Sequence, residues 1–336
     1  MNRKICLFIA FTFMGTGLLA QNKQDAIQQA IESLSVQELK NHLNTLASDE
    51  MEGRKTGETG QKKAADYLRA FYKENDIEAF PGTQDYFQKV PSEAMKRMFS
   101  PKLNDSENVI AYIKGAEKPD EYIVVSAHYD HVGIANGEIF NGADDNGTGT
   151  SAVLEIARVF NEQKKMGNAP KRSIIFLHCT GEEYGLHGSR FFVSSRIVRM
   201  ADIVADLNVD MIGRTDFKYE NTNKDYIYLV GSDKLSQELH DLSENANRKY
   251  TKLLLDYTYN DEKNPEMIYY RSDHYNFAKF GIPVIFYYSG EHADYHKPTD
   301  TADKIDFEKM RKRTQLIFAT AMELAYKDER IKLKNS

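Results

Sequence analysis

The sequence has no tryptophan, only two cysteines and no run of basic residues, and its one long apolar run lies within the first 20 residues. Cys6 belongs to that run, so Cys179 is alone in the rest of the chain and no intrachain disulfide is expected there. The formal net charge is −6, and the lysines and arginines do not cluster into the basic surface that nucleic-acid binding requires. The composition therefore excludes a disulfide scaffold and gives no indication of a nucleic-acid partner.

The N-terminus has the pattern of an export signal. Arg3 and Lys4 precede the apolar stretch 5–20, which is shorter than the roughly 20 apolar residues of a membrane-spanning helix. We predict that residues 1–20 are a signal peptide cleaved near Ala20, and that the mature protein is periplasmic or secreted and not membrane-associated. An uncleaved membrane anchor is the alternative. No feature of the sequence indicates an oligomeric state.

Six short runs rich in valine, isoleucine, phenylalanine and tyrosine predict buried strands, at residues 108–113, 121–128, 173–180, 202–210, 226–231 and 283–289. Apolar residues at helical spacing predict helices between or after them, at residues 148–164, 234–248 and 307–325. This alternation predicts an α/β fold, in which a mostly parallel sheet lies between helices on both of its faces.

The chain has no linker long enough to divide it, so we predict one catalytic domain with its core at residues 107–336. Residues 21–106 are predicted to form a helical and turn-rich segment that packs on this core. Within that segment residues 23–47 are predicted to be helical, with a capping box at Ser35–Glu38 that places Ser35 at an N-cap, and apolar spacing predicts a second helix at 59–75.

Histidine and acidic side chains lie at or just after the carboxyl ends of the predicted strands, where ligands bind in open α/β sheets. They are His128, Asp130, Asp144, Asp145, Glu182, Glu183, Asp210 and His296. Unpaired buried carboxylates are costly, and a shared divalent cation removes that cost. A mixture of histidine and carboxylate without sulfur favours a hydrolytic zinc centre, and such sites also accept Mn²⁺ or Co²⁺.

Two pairs of nearby residues suggest a division of roles within this site. Glu182 and Glu183 point in opposite directions if the backbone is extended, so one can bind metal while the other acts as a general base. Asp130 lies two residues after His128 and on the same side of an extended segment. We expect its carboxylate to accept the second imidazole N–H of His128.

Five motifs resemble the successive motifs of the exported di-zinc aminopeptidases of the bacterial leucyl aminopeptidase type, which are co-catalytic zinc metallopeptidases. In chain order they are AHYDHVG, NGADDNGTG, TGEEYGLHGS, LNVDMIG and RSDHYNFAKFGIPVIFYYSGEHADYHKPTDTADKID. With the N-terminal LASDEMEGRKTGETGQKKAADYL, the resemblance covers about residues 40–325. It implies a three-layer α/β/α domain with a central mixed sheet, two zinc ions and a peptide substrate with a free N-terminus.

Carried over residue by residue, the resemblance implies five metal ligands: His128 and Asp210 on one zinc, Glu183 and His296 on the other, and Asp145 bridging the two. Glu182 matches the general base of the family, and the nucleophile is a water that bridges the ions. Tyr295 matches a tyrosine that hydrogen-bonds the developing oxyanion in some members.

Four further residues lie within the same motifs. Asp144 either supports the turn and caps the following helix or hydrogen-bonds a ligand, and Asp273 either supports a ligand or caps a helix. Arg271 either binds a substrate carboxylate or forms an ion pair within the protein. His131 is expected to lie near the metals without binding them.

The chain departs from the family pattern in two places. Many members insert a protease-associated domain before the strand at 108–113, but residues 80–106 are too few for one, so we predict that it is absent. His187 stands where the family has an aliphatic residue. The complete ligand set favours an aminopeptidase. The alternatives are a glutaminyl cyclase-like single-zinc acyltransferase, a carboxypeptidase on the same fold and a non-catalytic binding protein.

Overall fold

The structure is a computed structural model, and it describes residues 27–97, 101–261 and 263–334. The predicted signal peptide, residues 1–20, lies outside these residues, so its cleavage and the export it implies stay predictions. Within the three described ranges, no helix combines the length and the apolar character needed to cross a bilayer.

A mixed β-sheet forms the centre of the described structure, and a separate two-stranded ribbon lies beside it. The strands of the sheet are β1 (Glu78–Ala79), β2 (Phe87–Val90), β3 (Ser106–Ile113), β4 (Lys118–His128), β7 (Arg172–Cys179), β8 (Ile203–Val209), β9 (Tyr226–Val230), β10 (Leu254–Asp256) and β11 (Val284–Tyr288). The ribbon consists of β5 (Gly133–Ala135) and β6 (Glu138–Phe140). All six strands expected from the apolar runs are present.

The strand order is β1-β3-β7-β4-β8-β11-β9-β10, and β2 also pairs with β3. The four central strands, β7, β4, β8 and β11, are parallel to one another. Antiparallel neighbours flank them, β3 on one side and β9 on the other. The expected mixed α/β sheet is confirmed, and its parallel pairing is concentrated in this centre.

The central strands carry buried apolar side chains on both faces because both faces of the sheet are covered. In β4, Ile123 and Val125 pack into one core, whereas Val124, between them, packs into a second core on the opposite face. Alternation of side chains along a strand requires this arrangement. A parallel sheet covered on both faces therefore lacks the alternating polar positions of a half-exposed sheet.

In addition to a helical turn at residues 27–32, the described residues form the α-helices α1 (Val36–Leu46), α2 (Thr59–Glu74), α3 (Gly149–Lys165), α4 (His187–Ser194), α5 (Gln237–Ala246), α6 (His274–Ala278) and α7 (Phe307–Tyr326). Residues of α1, α2, α3 and α7 belong to the first core, and residues of α4 and α6 belong to the second. The three-layer α/β/α arrangement is thus observed, with α1 and α2 packed on the same core as the sheet. The division at residue 106 stays a prediction, since β1 and β2 already pair with β3.

The helix expected at 23–47 is interrupted. Residues 27–32 are helical, and α1 starts afresh after Ser35. The Ser35 side chain accepts a hydrogen bond from the Glu38 N–H at 3.2 Å, and the Ser35 N–H donates to Glu155 Oε1 of α3 at 2.6 Å. Because the Ser35 N–H is bound to α3, it is not available for the hydrogen bond that a continuous helix needs, and the helix is interrupted at this point.

The fold places the expected site at one edge of the sheet. The parallel strands β7, β4, β8 and β11 are neighbours, and they end at Cys179, His128, Val209 and Tyr288. Because parallel strands all end at the same edge, the segments that follow them meet there.

Candidate metal centre

The structure brings together all five residues expected to bind metal. His128 is the last residue of β4, and Asp210 directly follows β8. Glu183 follows β7 by four residues, and His296 lies beyond β11. Asp145 comes from the segment between β6 and α3, where the Asp145–Asn146 peptide bond is cis.

Asp145 lies between two groups of side chains. Its Oδ1 atom is 3.3 Å from His128 Nε2, and its Oδ2 atom is 3.0 Å from His296 Nε2. Asp210 Oδ1 also lies 3.3 Å from His128 Nε2, and Glu183 Oε2 lies 3.1 Å from His296 Nε2. Each oxygen of Asp145 therefore faces a different imidazole and a different second carboxylate.

The spacing of these atoms fits metal coordination. Zinc binds nitrogen and oxygen ligands at about 2.0–2.2 Å in a tetrahedron, which separates the ligand atoms by roughly 3.3–3.6 Å. The imidazole-to-carboxylate distances of 3.0–3.3 Å are close to that range. Ligand atoms of His128, Asp145 and Asp210 all lie within 4.8 Å of one another. The residues can hold a divalent cation, and a carboxylate facing both groups suits a pair of bridged ions.

His131 lies deeper in the site than the sequence indicated. Its Nδ1 atom is 2.6 Å from Glu183 Oε1 and 3.7 Å from Asp145 Oδ2, and the three residues form a second group with metal-binding spacing. Since Glu183 Oε2 faces His296, the contact with His131 engages the other oxygen and orients the carboxylate. The only sequence signal for this was its position in the motif HYDH.

The prediction that the Asp130 carboxylate accepts the second N–H of His128 was wrong. The main-chain carbonyl of Asp130, at 3.1 Å, accepts the N–H of His128 Nδ1, whereas its carboxylate Oδ1 is 3.9 Å from that nitrogen. The carboxylate instead accepts the Thr56 hydroxyl at 2.6 Å and the Glu182 N–H at 3.1 Å. Because β4 ends at His128, the extended geometry behind the expectation does not continue to Asp130. The Asp130 carboxylate positions Glu182.

Asp144 and Asp145 have different surroundings. Asp144 does not cap α3; its Oδ1 atom accepts the Gly213 N–H at 2.7 Å, and Oδ2 lies 3.3 Å from His292 Nε2. Asp300, which the sequence analysis did not single out, accepts the backbone N–H groups of Asp144 and Asp145 at 3.0 and 3.2 Å. Asp144 thus joins its loop to the segment after β8, and Asp300 holds the backbone beneath Asp145.

Ser272, and not Asp273, makes the hydrogen bond that supports the expected ligand Asp210. Asp273 precedes α6 without capping it, and burial raises the pKa of its carboxyl group to about 7. Ser272 donates its hydroxyl hydrogen to Asp210 Oδ2 at 2.8 Å, and Asn208 Nδ2 donates to the Ser272 hydroxyl at 2.8 Å. A hydroxyl group, which carries little sequence signal, therefore orients the Asp210 carboxylate.

Arg54 is a fully buried cation behind the site. Its guanidinium donates to the carbonyl of Tyr129 at 2.9 Å, of Leu46 and Asn141 at 2.6 Å each, and of Gly142 at 2.8 Å. These carbonyls belong to the end of α1 and to the loops that carry His131 and Asp145. Burial lowers the pKa of Arg54 to about 10, which still leaves it charged at neutral pH. Its only sequence signal was its place in the motif EGRKTG.

The acids determine the charge of the two histidines that face Asp145. Burial lowers the pKa of His296, but hydrogen bonds with Asp145 and Glu183 outweigh it and raise this pKa to about 11. For His128, burial is likewise outweighed by the charge of Asp210, and the pKa is raised well above its ordinary value. A metal ion must displace these protons to bind, so metal affinity should increase with pH.

The pKa values of the adjacent Glu182 and Glu183 are shifted in opposite directions. Burial raises the pKa of Glu182 well above its ordinary value, and the negative charge of Glu183 adds to this effect. Burial and Asp145 also raise the pKa of Glu183, but His131 and His296 outweigh them and lower it below the ordinary value. Neighbouring acids whose pKa values are moved apart in this way suit different roles.

A pocket opens beside the metal-binding residues. Its lining includes Glu182, Asp145, Asp210 and Tyr295, together with Met211, Ile268, Arg271, Phe286 and Tyr288. The Tyr295 ring stacks on that of His296, with 4.0 Å between the ring centroids.

Arg271 forms an ion pair at this pocket. Its Nη1 atom lies 2.9 Å from Glu291 Oε1, and Nη2 lies 3.5 Å from the Tyr295 hydroxyl. Of the two roles considered for Arg271, the structure shows the ion pair.

The three-layer fold and the cluster of histidines and carboxylates at the sheet edge define an α/β protein with a candidate metal site. A comparison with family models identifies the family: residues 108–321 match Peptidase family M28, and the chain belongs to that family. The matched region includes every candidate ligand described above.

Individual relatives agree with this assignment. A probable leucine aminopeptidase of Arthroderma otae is 32% identical over 216 residues, which are 62% of this chain and 56% of that protein. The chain thus spans little more than half the length of the curated relatives it matches. The LapA aminopeptidase of Legionella pneumophila has the same fold, with a TM-score of 0.70 at 21% identity over 91% of this chain and 76% of LapA. BSAP, a zinc aminopeptidase of Bacillus subtilis, superposes with a TM-score of 0.66 at 18% identity over 89% of this chain and 97% of BSAP.

The geometry predicts unequal effects of changing the two adjacent aspartates. Asp145→Asn removes charge from the oxygens that face His128 and His296, so we expect zinc content and activity to fall together. Asp144→Asn keeps an oxygen that can accept the Gly213 N–H, so we expect it to retain zinc and to lower the free energy of unfolding by about 1–2 kcal/mol. Metal analysis and chemical denaturation measure the two effects. Equal loss of zinc in both variants would contradict the assignment.

Arg54 should matter for both stability and metal binding. Arg54→Met leaves buried carbonyls without donors and removes a cation near the acids, so we expect the free energy of unfolding to fall by about 3 kcal/mol or more. Zinc affinity should fall as well, because the loops that carry His131 and Asp145 lose their common anchor. Arg158→Met is the matched control, since Arg158 pairs with Glu155 and Glu162 away from the site. Zinc titration should show a weaker site in Arg54→Met alone.

Proposed function

We propose that the protein is a zinc-dependent aminopeptidase that binds two zinc ions and hydrolyses N-terminal residues from peptides. The observation that carries the proposal is the position of Asp145, whose two oxygens face two separate imidazole–carboxylate groups beside a pocket lined by Glu182. The proposal includes export to the periplasm or the medium, as residues 1–20 predict.

In this proposal His128, Asp145 and Asp210 hold one zinc ion, and Asp145, Glu183 and His296 hold the other. When bound, the ions supply Lewis-acid polarisation of the peptide carbonyl and a nucleophilic water at neutral pH. His131 acts as a positioning residue through its contact with Glu183 Oε1. The fit of the donor atoms to zinc coordination and the names of the relatives support this assignment.

Glu182 is the proposed general base. It lines the pocket together with Asp145 and Asp210, and its backbone N–H is held by the Asp130 carboxylate. From this position it can take the proton of the attacking water and pass it to the departing amine. Tyr295 lines the same pocket, and its hydroxyl can donate a hydrogen bond to the oxyanion that forms on the scissile carbonyl.

The pocket also supports cleavage at an N-terminus. Asp145, Glu182 and Asp210 in its lining favour the positive charge of a free α-amine, and Met211, Ile268 and Phe286 add apolar contacts. A substrate with a free N-terminus and an apolar first side chain therefore suits this lining. A single-zinc cyclase is less favoured because the groups around His128 and His296 are both complete.

A panel of aminoacyl anilides with matched N-blocked controls tests the proposal. On zinc-loaded protein we expect the free-amine anilides to be cleaved, fastest for an apolar first residue, and the blocked ones at least a hundredfold more slowly in terms of kcat/KM, roughly the discrimination a buried charge contact supplies. Equal cleavage of blocked and free substrates would rule out an aminopeptidase.

The role of Glu182 can be separated from metal binding. Glu182→Gln removes the base but leaves the expected ligands in place, so we expect normal zinc content with kcat lowered by roughly 10²–10⁴-fold. Glu183→Gln should instead lower zinc content. Near-normal kcat in zinc-loaded Glu182→Gln would contradict its assignment as the base.

A further inference from the structure

Three cationic side chains, which come from different parts of the chain, lie near the segment that follows the two glutamates. We call Arg97, Arg190 and Lys279 the cation cluster. None of the three makes an ion pair within 4.0 Å with any acidic residue in the described ranges, although the chain as a whole has more acids than bases. The cluster is outside the set of expected ligands and outside the pocket lined by Glu182.

Arg97 lies directly against the chain beyond Glu183. A Cβ atom added at Gly185 would be 2.2 Å from Arg97 Nη1 and 2.4 Å from Cζ, so the guanidinium lies directly against the Gly185 backbone. The φ angle of Gly185, 121°, also belongs to the region that favours glycine. The Gly185 backbone thus forms a seat for the guanidinium.

Arg190 is fixed next to this seat. Its Nη2 atom donates to the Ala94 carbonyl at 2.9 Å and to His187 Nδ1 at 2.7 Å. His187 is the residue that departs from the aliphatic family pattern, and it is buried. The departure therefore provides a hydrogen-bond acceptor that orients an arginine.

Lys279 lies at the end of α6, a helix that contacts the start of α4. Asn276 of α6 donates to the Leu186 carbonyl at 3.0 Å and to the Ser189 hydroxyl at 2.7 Å, which joins α6 to the start of α4. Lys279 follows α6 directly, and its Nζ atom lies 4.9 Å from the Tyr275 ring centroid. Burial together with the charges of Arg190 and Arg97 lowers the pKa of Lys279, in keeping with three cations held close to one another.

Gly185, against which Arg97 lies, is close in the chain to the expected ligand Glu183. Gly185 follows Glu183 by two residues, so their Cα atoms are at most about 7.6 Å apart. An extended peptide advances about 3.3–3.6 Å per residue, so the end of a short peptide held at the metals can reach this distance. A guanidinium seated on the backbone and joined by a second arginine is suited to binding a carboxylate.

We propose that the cation cluster binds the C-terminal carboxylate of a short peptide substrate, on the side of the departing amine. This inference rests on the proposed aminopeptidase function and deepens it, because it makes small peptides with a free C-terminus the preferred substrate class. A cluster that only faces solvent is the competing explanation, and it predicts no dependence on the substrate's C-terminal charge.

Pairs of peptides that differ only at the C-terminus test the inference. Each pair has the same N-terminal residue and a length of two to five residues, with either a free carboxylate or an amide at its end. We expect kcat/KM for the acid to exceed that for the amide by roughly five- to tenfold at one favoured length, mainly through KM, because charge-assisted hydrogen bonds contribute at that scale. Added salt should reduce the ratio.

Variants of the cluster should change this ratio specifically. Arg97→Ala and Lys279→Ala should bring the acid-to-amide ratio close to one, and Arg97→Glu should bring it below one. Lys96→Ala is the matched control, because Lys96 neighbours Arg97 but pairs with Glu93 at 2.7 Å, and it should keep the wild-type ratio.

Two results would overturn the inference, and they can be told apart. Two outcomes, with anilides still cleaved, would contradict the carboxylate site alone. One is a wild-type acid-to-amide ratio of one at every length, and the other is a ratio that Arg97→Glu does not change. Failure of the zinc-loaded protein to cleave either peptides or anilides would remove the proposed function and this inference with it.

Discussion

The crowding of carboxylates around Asp145 is the constraint on which the site depends. Asp145, Asp210 and Glu183 approach two imidazoles within 3.0–3.3 Å, at a depth where most of these groups are shielded from water. Negative charges held so close must be balanced by cations. Protonated histidines or metal ions can provide that balance, and only metal ions add Lewis-acid chemistry.

The surrounding structure holds the backbone so that this crowding persists. Arg54 binds carbonyls of both loops that carry site residues, and Asp300 binds the two N–H groups at Asp144 and Asp145. Neither residue is among the expected metal ligands. The supporting residues thus act on the main chain, whose groups must be paired wherever a loop is buried.

The sequence predicted much of this arrangement because strong periodic patterns and ordered motifs carry it. The apolar runs located all six strands, and the ends of β4 and β8 placed His128 and Asp210 together through the general property of parallel sheets. Patterns failed where a contact depends on an atom that a motif does not specify. The carbonyl of Asp130, and not its carboxylate, binds His128, and the Ser272 hydroxyl and the buried Arg54 contact residues far away in the chain.

The sequence by itself determined the fold class, the set of histidines and acids, and the edge of the sheet at which they meet, since these follow from periodicity and from the order of strands. Only the tertiary structure decided which atom faces which. The placement of His131 on Glu183, of Asp130 on Glu182, and of Arg97 on Gly185 depends on loops packed from distant parts of the chain. Such contacts are fixed by the packing of several segments at once, which no local pattern encodes.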